Sequence, residues 1–244
     1  MVDANDFHYV NLLICMLYFL LYCKIFPIIV TIHERTFYSM AEKIITAPYI
    51  DQTKPYPTGC ESISTVMLLQ YLGYPITPED FIDNHLSRHD FEFRNGYFYG
   101  PDPQEYFIGS PYNNEKGSYG CYAGAIIKAL SGIVSDRYTI HDETGTPIQE
   151  LLTRYIDQDM PVIFWATLDM QEAVPGPTWK LISTGEDFTW KNNEHCLLLV
   201  GYDDEVYYFN DPWHNHGLIG YDRALVENRH AQQYAQAVGL RIRS

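Results

Sequence analysis

Three short runs of branched and aromatic residues constrain the architecture more than anything else in the chain. They are Val162-Ile163-Phe164-Trp165-Ala166-Thr167, Cys196 to Tyr202, and Val206-Tyr207-Tyr208-Phe209, all in the second half. Runs of this length and type are strands, and Asp203-Asp204 between the last two makes them a hairpin. The first half is patterned for helices instead. Ile63, Val66, Met67 and Tyr71 recur at three- and four-residue steps until Gly73 and Pro75 stop them, which predicts one buried helix over 60–72. Thr77 as cap, Pro78 in the first turn and acidic Glu79 and Asp80 start a second helix ending near His85. A third spans about Tyr122 to Leu130, and Thr146, Pro147 and Gln149 form a capping pattern for a fourth running to about Asp157. Residues 222–234 are polar and helical, and 237–242 read as an edge strand. Helices first and an antiparallel sheet later is an α+β layout. Residues 87–120, rich in Gly, Pro, Asn and aromatics, lack sustained periodicity and read as an ordered functional loop, a candidate substrate wall.

The chain of 244 residues carries 16 Lys plus Arg against 31 Asp plus Glu, so its own field repels nucleic acid, which is excluded as a partner. Of five cysteines, Cys15 and Cys23 lie in an apolar N-terminal stretch, and Cys60, Cys121 and Cys196 in the globular part imply no disulfide framework. Neither these cysteines nor His214 and His216 show the paired short spacing of a zinc site, so no metal and no cofactor is expected. Residues 9–32 are apolar apart from Asn11, Lys24 and Thr31, long enough to approach a bilayer span. Residues 1–45 therefore read as an anchor or signal-like segment with a linker, and 46–244 as the catalytic domain, anchored to a membrane or exported to a bacterial cell surface. If Met40 were the true start, the segment would be absent and the protein cytoplasmic.

Cys60 opens the first helical pattern, and His195 and Asp211 follow near the strands, the order of a thiol-nucleophile enzyme. A thiol at a helix N-terminus is expected to ionise readily, because the partial positive charge there favours the thiolate. The segment DQTKPYPTGCESISTVMLLQYLG, with YGCYAGAIIKAL, MPVIFWATL, NEHCLLLVGYDDEVYYFNDPW and QAVGL, resembles the C39-like peptidase family of papain-like cysteine peptidases over nearly all of residues 46–244. That resemblance implies a papain-like fold, with the nucleophile's helix packed on an antiparallel sheet. His195 lies 135 residues beyond Cys60, within the papain-type separation of about 130 to 150. Cys60 is then the nucleophile, His195 the base that takes the thiol proton and returns it to the leaving amine, and Asp211 the group orienting the imidazole. Gln52 matches the family's oxyanion position, where its amide and the Cys60 backbone N–H would stabilise the tetrahedral intermediate.

Each residue also has a structural reading. Free cysteines are usually core, which is where Cys121 and Cys196 are placed, and Asp211 before Pro212 could simply start a turn. Trp165 and Trp213 are candidate substrate-binding walls, although aromatics in strands are more often core. His214 and His216 read as solvated loop residues. The expected function is a cysteine peptidase or amide hydrolase acting on a peptide or amide through a thioester. Two alternatives remain: an acyltransferase or transamidase that resolves the same thioester with an amine, and a non-catalytic papain-like binding module.

Overall fold

Cys60–Tyr71 forms helix α1 because its apolar positions surround the axis rather than forming one stripe, and a helix of that kind has to be enclosed. It is buried from Cys60 to Leu69, and Ile63, Val66, Met67, Leu68 and Leu69 have no exposure. The structure is a computed structural model that describes residues 42–114 and 117–243. Residues 9–32, read as an anchor, lie outside that range, and no helix among the described residues is long and apolar enough to cross a membrane. Helix α2 is Pro78–Asn84, α3 Ala123–Val134, α4 Ile148–Arg154 and α5 Arg223–Gln232. The strands are β1 Lys43–Ile44, β2 Arg88–His89, β3 Glu92–Arg94, β4 Tyr97–Gly100, β5 Phe107–Ile108, β6 Tyr138–Asp142 and β7 Val162–Thr167. They continue with β8 Val174–Leu181, β9 Asp187–Asn192, β10 Glu194–Tyr202, β11 Val206–Asp211, β12 Gly217–Asp222 and β13 Ala237–Ile242.

The main sheet is antiparallel, in the order β12-β11-β10-β7-β13-β6, with β1 added beside the far end of β10. Every residue of β7 is buried, as expected of a strand covered on both faces. Alternation shows how: Trp165 donates its indole N–H to the Cys121 carbonyl just ahead of α3, while neighbouring Phe164 stacks on His230 of α5 with ring centroids 3.9 Å apart. Helices α1 and α3 therefore cover one face and α5 the other. The result is the α+β layout anticipated from the order of the patterns.

Several local expectations are corrected. β13 is not an edge strand; it lies between β7 and β6, and its residues 237–240 are buried accordingly. Thr146 does not cap α4; Pro147 occupies the N-cap, and the Thr146 hydroxyl bonds Glu143 at 2.7 Å instead. α3 runs four residues beyond its predicted end, to Val134. The supposed loop 87–120 contains β2 to β5, of which β3 and β4 join β8 and β9 in a separate four-stranded sheet. These strands are two to four residues long, too short to show a period.

His230 is 3 % exposed, and its Nδ1 donates to the Trp165 carbonyl at 2.7 Å. Burial pushes its pKa down to about 4, against the opposite pull of that carbonyl. The unfolded chain protonates this ring near pH 6.5, so between there and about pH 4 the unfolded state binds more protons. Stability should fall as pH drops through that window, by up to about 3 kcal/mol from this group. Urea denaturation at neutral and mildly acid pH checks it: His230→Gln, which can donate to the same carbonyl, is expected to lose distinctly less stability on acidification than the parent. Equal losses would place the acid sensitivity elsewhere.

Candidate active site

The site is assembled where the first turn of α1 meets the first residues of β10. α1 is seated by its buried face and by Ser64, whose hydroxyl donates to the Cys196 carbonyl at 3.1 Å. Gly59 is the N-cap and offers no side chain, so the Cys60 backbone N–H is among the helix-start donors without an intrahelical acceptor. Ahead of it, Thr58 donates to the carbonyls of Ser110 and Asn113 at 2.9 and 3.0 Å, pinning the approach loop.

The β10–β11 hairpin turns at Asp203, whose Oδ1 accepts the backbone N–H groups of Glu205 and Val206, both at 2.8 Å. The return strand then brings Asp211 to His195: Nε2 donates to Oδ1 at 2.7 Å, and both side chains are almost fully buried. Asp211 accepts three more donors, Trp213 N at 2.9 Å, Tyr221 OH at 2.8 Å and His216 Nδ1 at 3.2 Å. Burial alone would raise this carboxyl, but the His195 ring and these donors hold it well below the usual carboxylate range. Asp211 thus both orients the imidazole and forms the turn. Because Nε2 is committed, Nδ1 is the ring nitrogen left for proton exchange.

Gln52 is brought to the same place. Its backbone N–H donates to the Pro212 carbonyl at 2.9 Å, and the His214 N–H bonds Thr53 at 3.0 Å. The Gln52 amide is buried, with long contacts of 3.4 and 3.5 Å to the carbonyls of Tyr56 and Pro57 and an unpartnered Oε1. An open groove of about 580 Å³ lies beside it, lined by Thr53, Lys54, Pro55, His214 and Asn215 among others.

Three expectations fail here, those for Trp165, His216 and the Cys60 thiol, while the one for Trp213 is neither met nor overturned. Trp165 lines no cleft; it is wholly buried in β7. Trp213 is half-buried and stacks on His214 at 4.3 Å. His216 is not a solvated bystander but a partner of Asp211. Cys60 is 6 % exposed rather than open, and its thiol is pushed well above the ordinary range, first by burial and then by the charges of Glu61 and Glu194. The thiol donates to Glu61 Oε2 at 3.3 Å, and no hydrogen bond among the described residues joins it to His195.

Glu61 and Glu194 act against the helix-terminus charge at Cys60. Glu61 Oε1 accepts the Cys121 N–H at 2.5 Å. Alternation along β10 turns Glu194 and Cys196 toward α1 while His195 meets Asp211. The Cys60 sulfur and one oxygen from each acid lie within 4.8 Å of one another. Burial raises both carboxyls, Glu61 to about 7 and Glu194 well above its usual value. A divalent cation needs deprotonated ligands and would have to displace the protons these groups hold. The only signal in the sequence is adjacency, each acid being next to a candidate catalytic residue.

A cysteine at a helix N-terminus, a His–Asp pair on an adjoining antiparallel sheet and a glutamine docked at the aspartate turn define a papain-like fold. The model of the Peptidase_C39 like family matches residues 44–240, and the chain belongs to that family. It is 28 % identical to the uncharacterized protein YvpB of Bacillus subtilis (strain 168) over 185 residues, 74 % of this chain and 68 % of that protein. It also matches a crystal structure described as C39-like, from Bacillus anthracis, with a TM-score of 0.73 and 28 % identity, covering 84 % of this chain and all of the other.

Gly120 tests the packing. It has φ +147°, and a Cβ there would lie 2.4 Å from Glu61 Oε1 and 3.1 Å from Glu194 Oε2. Gly120→Ala should destabilise the fold by about 1–3 kcal/mol in urea denaturation. A variant as stable as the parent would show that the two carboxyls do not crowd this position.

Proposed function

We propose that this chain is a cysteine peptidase or amide hydrolase in which Cys60 attacks the carbonyl, His195 moves the proton and Asp211 fixes the ring. The observation that carries this reading is the 2.7 Å His195–Asp211 bond, which commits Nε2 and presents Nδ1 at the end of the strand on which the Cys60 helix is packed. In the reaction, the thiol proton passes to Nδ1, the thiolate adds to the carbonyl, and the imidazolium returns the proton to the leaving amine. Water then resolves the thioester. The Cys60 N–H and the Gln52 amide are the oxyanion donors, the latter free to turn because its present contacts are long.

The substrate is a peptide or amide. The groove beside Gln52 and a cavity of about 400 Å³ lined by Phe91, Phe98, Tyr119 and Trp179 support side-chain recognition. The aromatic cavity is linked to the site along the chain, since Tyr119 on its wall is followed by Gly120 and Cys121, whose N–H bonds Glu61. Residues 9–32 would tether or export the enzyme.

Cys60→Ala is expected to abolish peptide-bond cleavage and the thioester adduct seen by mass spectrometry after incubation with a peptide library. Asp211→Asn should lower turnover, though by less than the roughly 10⁴ of a Ser-His-Asp triad because Cys-His-Asn triads are active, with substrate binding kept. Undiminished cleavage by folded Cys60→Ala would remove the reading. Products in which an added amine replaces water would move the reaction to acyl transfer.

A further inference from the structure

We propose that Glu61 and Glu194 form a buried carboxyl pair that shares one proton and gates the Cys60 thiol, which is held at Glu61 when the pair is fully ionised and released to His195 when it is not. The gating role rests on Cys60 being the nucleophile; the pairing does not.

The geometry comes from three segments. α1 supplies Cys60 and Glu61, the turn before α3 supplies Gly120 and the Cys121 N–H, and β10 supplies Glu194. Glu61 is fully buried with two donors, Cys121 N–H on one oxygen and the Cys60 thiol on the other. Glu194 is half-buried as a residue, but its Oε1 is buried and has no partner. Among the described residues, neither acid forms an ion pair with Lys, Arg or His. The titratable groups facing the pair are Cys60 on α1, Cys121 and Tyr122 ahead of α3, and Cys196 on β10, all neutral as thiols or phenol. Two carboxylates this close, with so few donors and no cation, do not both ionise near neutrality, and one keeps a proton.

The consequence for Cys60 has a definite sign. While the pair holds its proton, it carries one negative charge, and Cys60 can yield its own proton to His195. When the pair gives that proton to solvent, two negative charges oppose the thiolate and the thiol stays bonded to Glu61 Oε2. Burial lifts the pair toward neutrality, so the second charge, once it develops, holds the ionisation of Cys60 to higher pH. Glu61 touches the reacting sulfur; Glu194 is a positioning residue that acts through it.

The test is the pH dependence of Cys60 alkylation by iodoacetamide in the full chain, read by mass spectrometry without substrate, with folding followed by circular dichroism. Glu194→Gln keeps the shape and removes one charge. Its alkylation midpoint should fall by on the order of one pH unit relative to the parent. Glu61→Gln should lower it as well, and where loss of the Cys121 acceptor prevents folding, Glu194→Gln decides alone. An unchanged midpoint in folded Glu194→Gln overturns the proposal. A shifted midpoint in a protein that cleaves no peptide would sustain the carboxyl pair while removing the peptidase reading.

Discussion

The seating of α1 on β10 is the contact on which the rest depends. β10 lies in the interior of the main sheet, bonded to β7 and β11 along its length and to β1 at its far end. Ten consecutive residues of α1 are buried, so the helix cannot turn about its axis or slide without exposing apolar surface, at roughly 25 cal/mol per Å². The strand fixes where the helix begins. The same strand, through its hairpin with β11, brings together His195 and Asp211, sixteen residues apart in sequence. Cys60 and His195 are thus located by one object, although 134 residues intervene between them.

Buried carboxyls on the two sides of β10 show how little the residue type decides. Asp211 has four donors, two of them imidazoles, and stays ionised. Glu61 and Glu194 have fewer donors and each other, and both are pushed upward. Desolvation acts on all three, and the number and charge of the partners decide the outcome. Tyr221 matters for that reason: its hydroxyl bonds the oxygen of Asp211 that His195 leaves free and helps hold the carboxyl anionic.

Long elements with a consistent period were legible from sequence. α1, the Thr77-capped α2, whose cap hydroxyl accepts the Asp80 N–H at 3.1 Å, β7 and the β10–β11 hairpin all lie where the pattern put them, and the resemblance named the family. Short strands were not legible, because two residues such as Arg88-His89 carry no period. β13 was read as an edge from its position near the end of the chain, whereas sheet order depends on contacts that sequence proximity does not encode. The ionisation of Cys60 was misjudged for a related reason. A helix terminus is a local feature, but the burial that outweighs it comes from tertiary packing, and the opposing charges are those of the adjacent Glu61 and of Glu194 more than 130 residues away.

The interior place of β13 has a consequence for biosynthesis. β6 has no strand partner other than β13 in the described sheet, and β13 also fills the space beside β7. A nascent chain that has not yet delivered residues 237–242 therefore has its sheet divided between β7 and β6, with two unpaired edges facing the gap. Closure of the sheet waits on β13, the last strand in chain order among the described residues. Cys60, in the first third of the chain, is thus synthesised well before the strand that joins the two parts of the sheet.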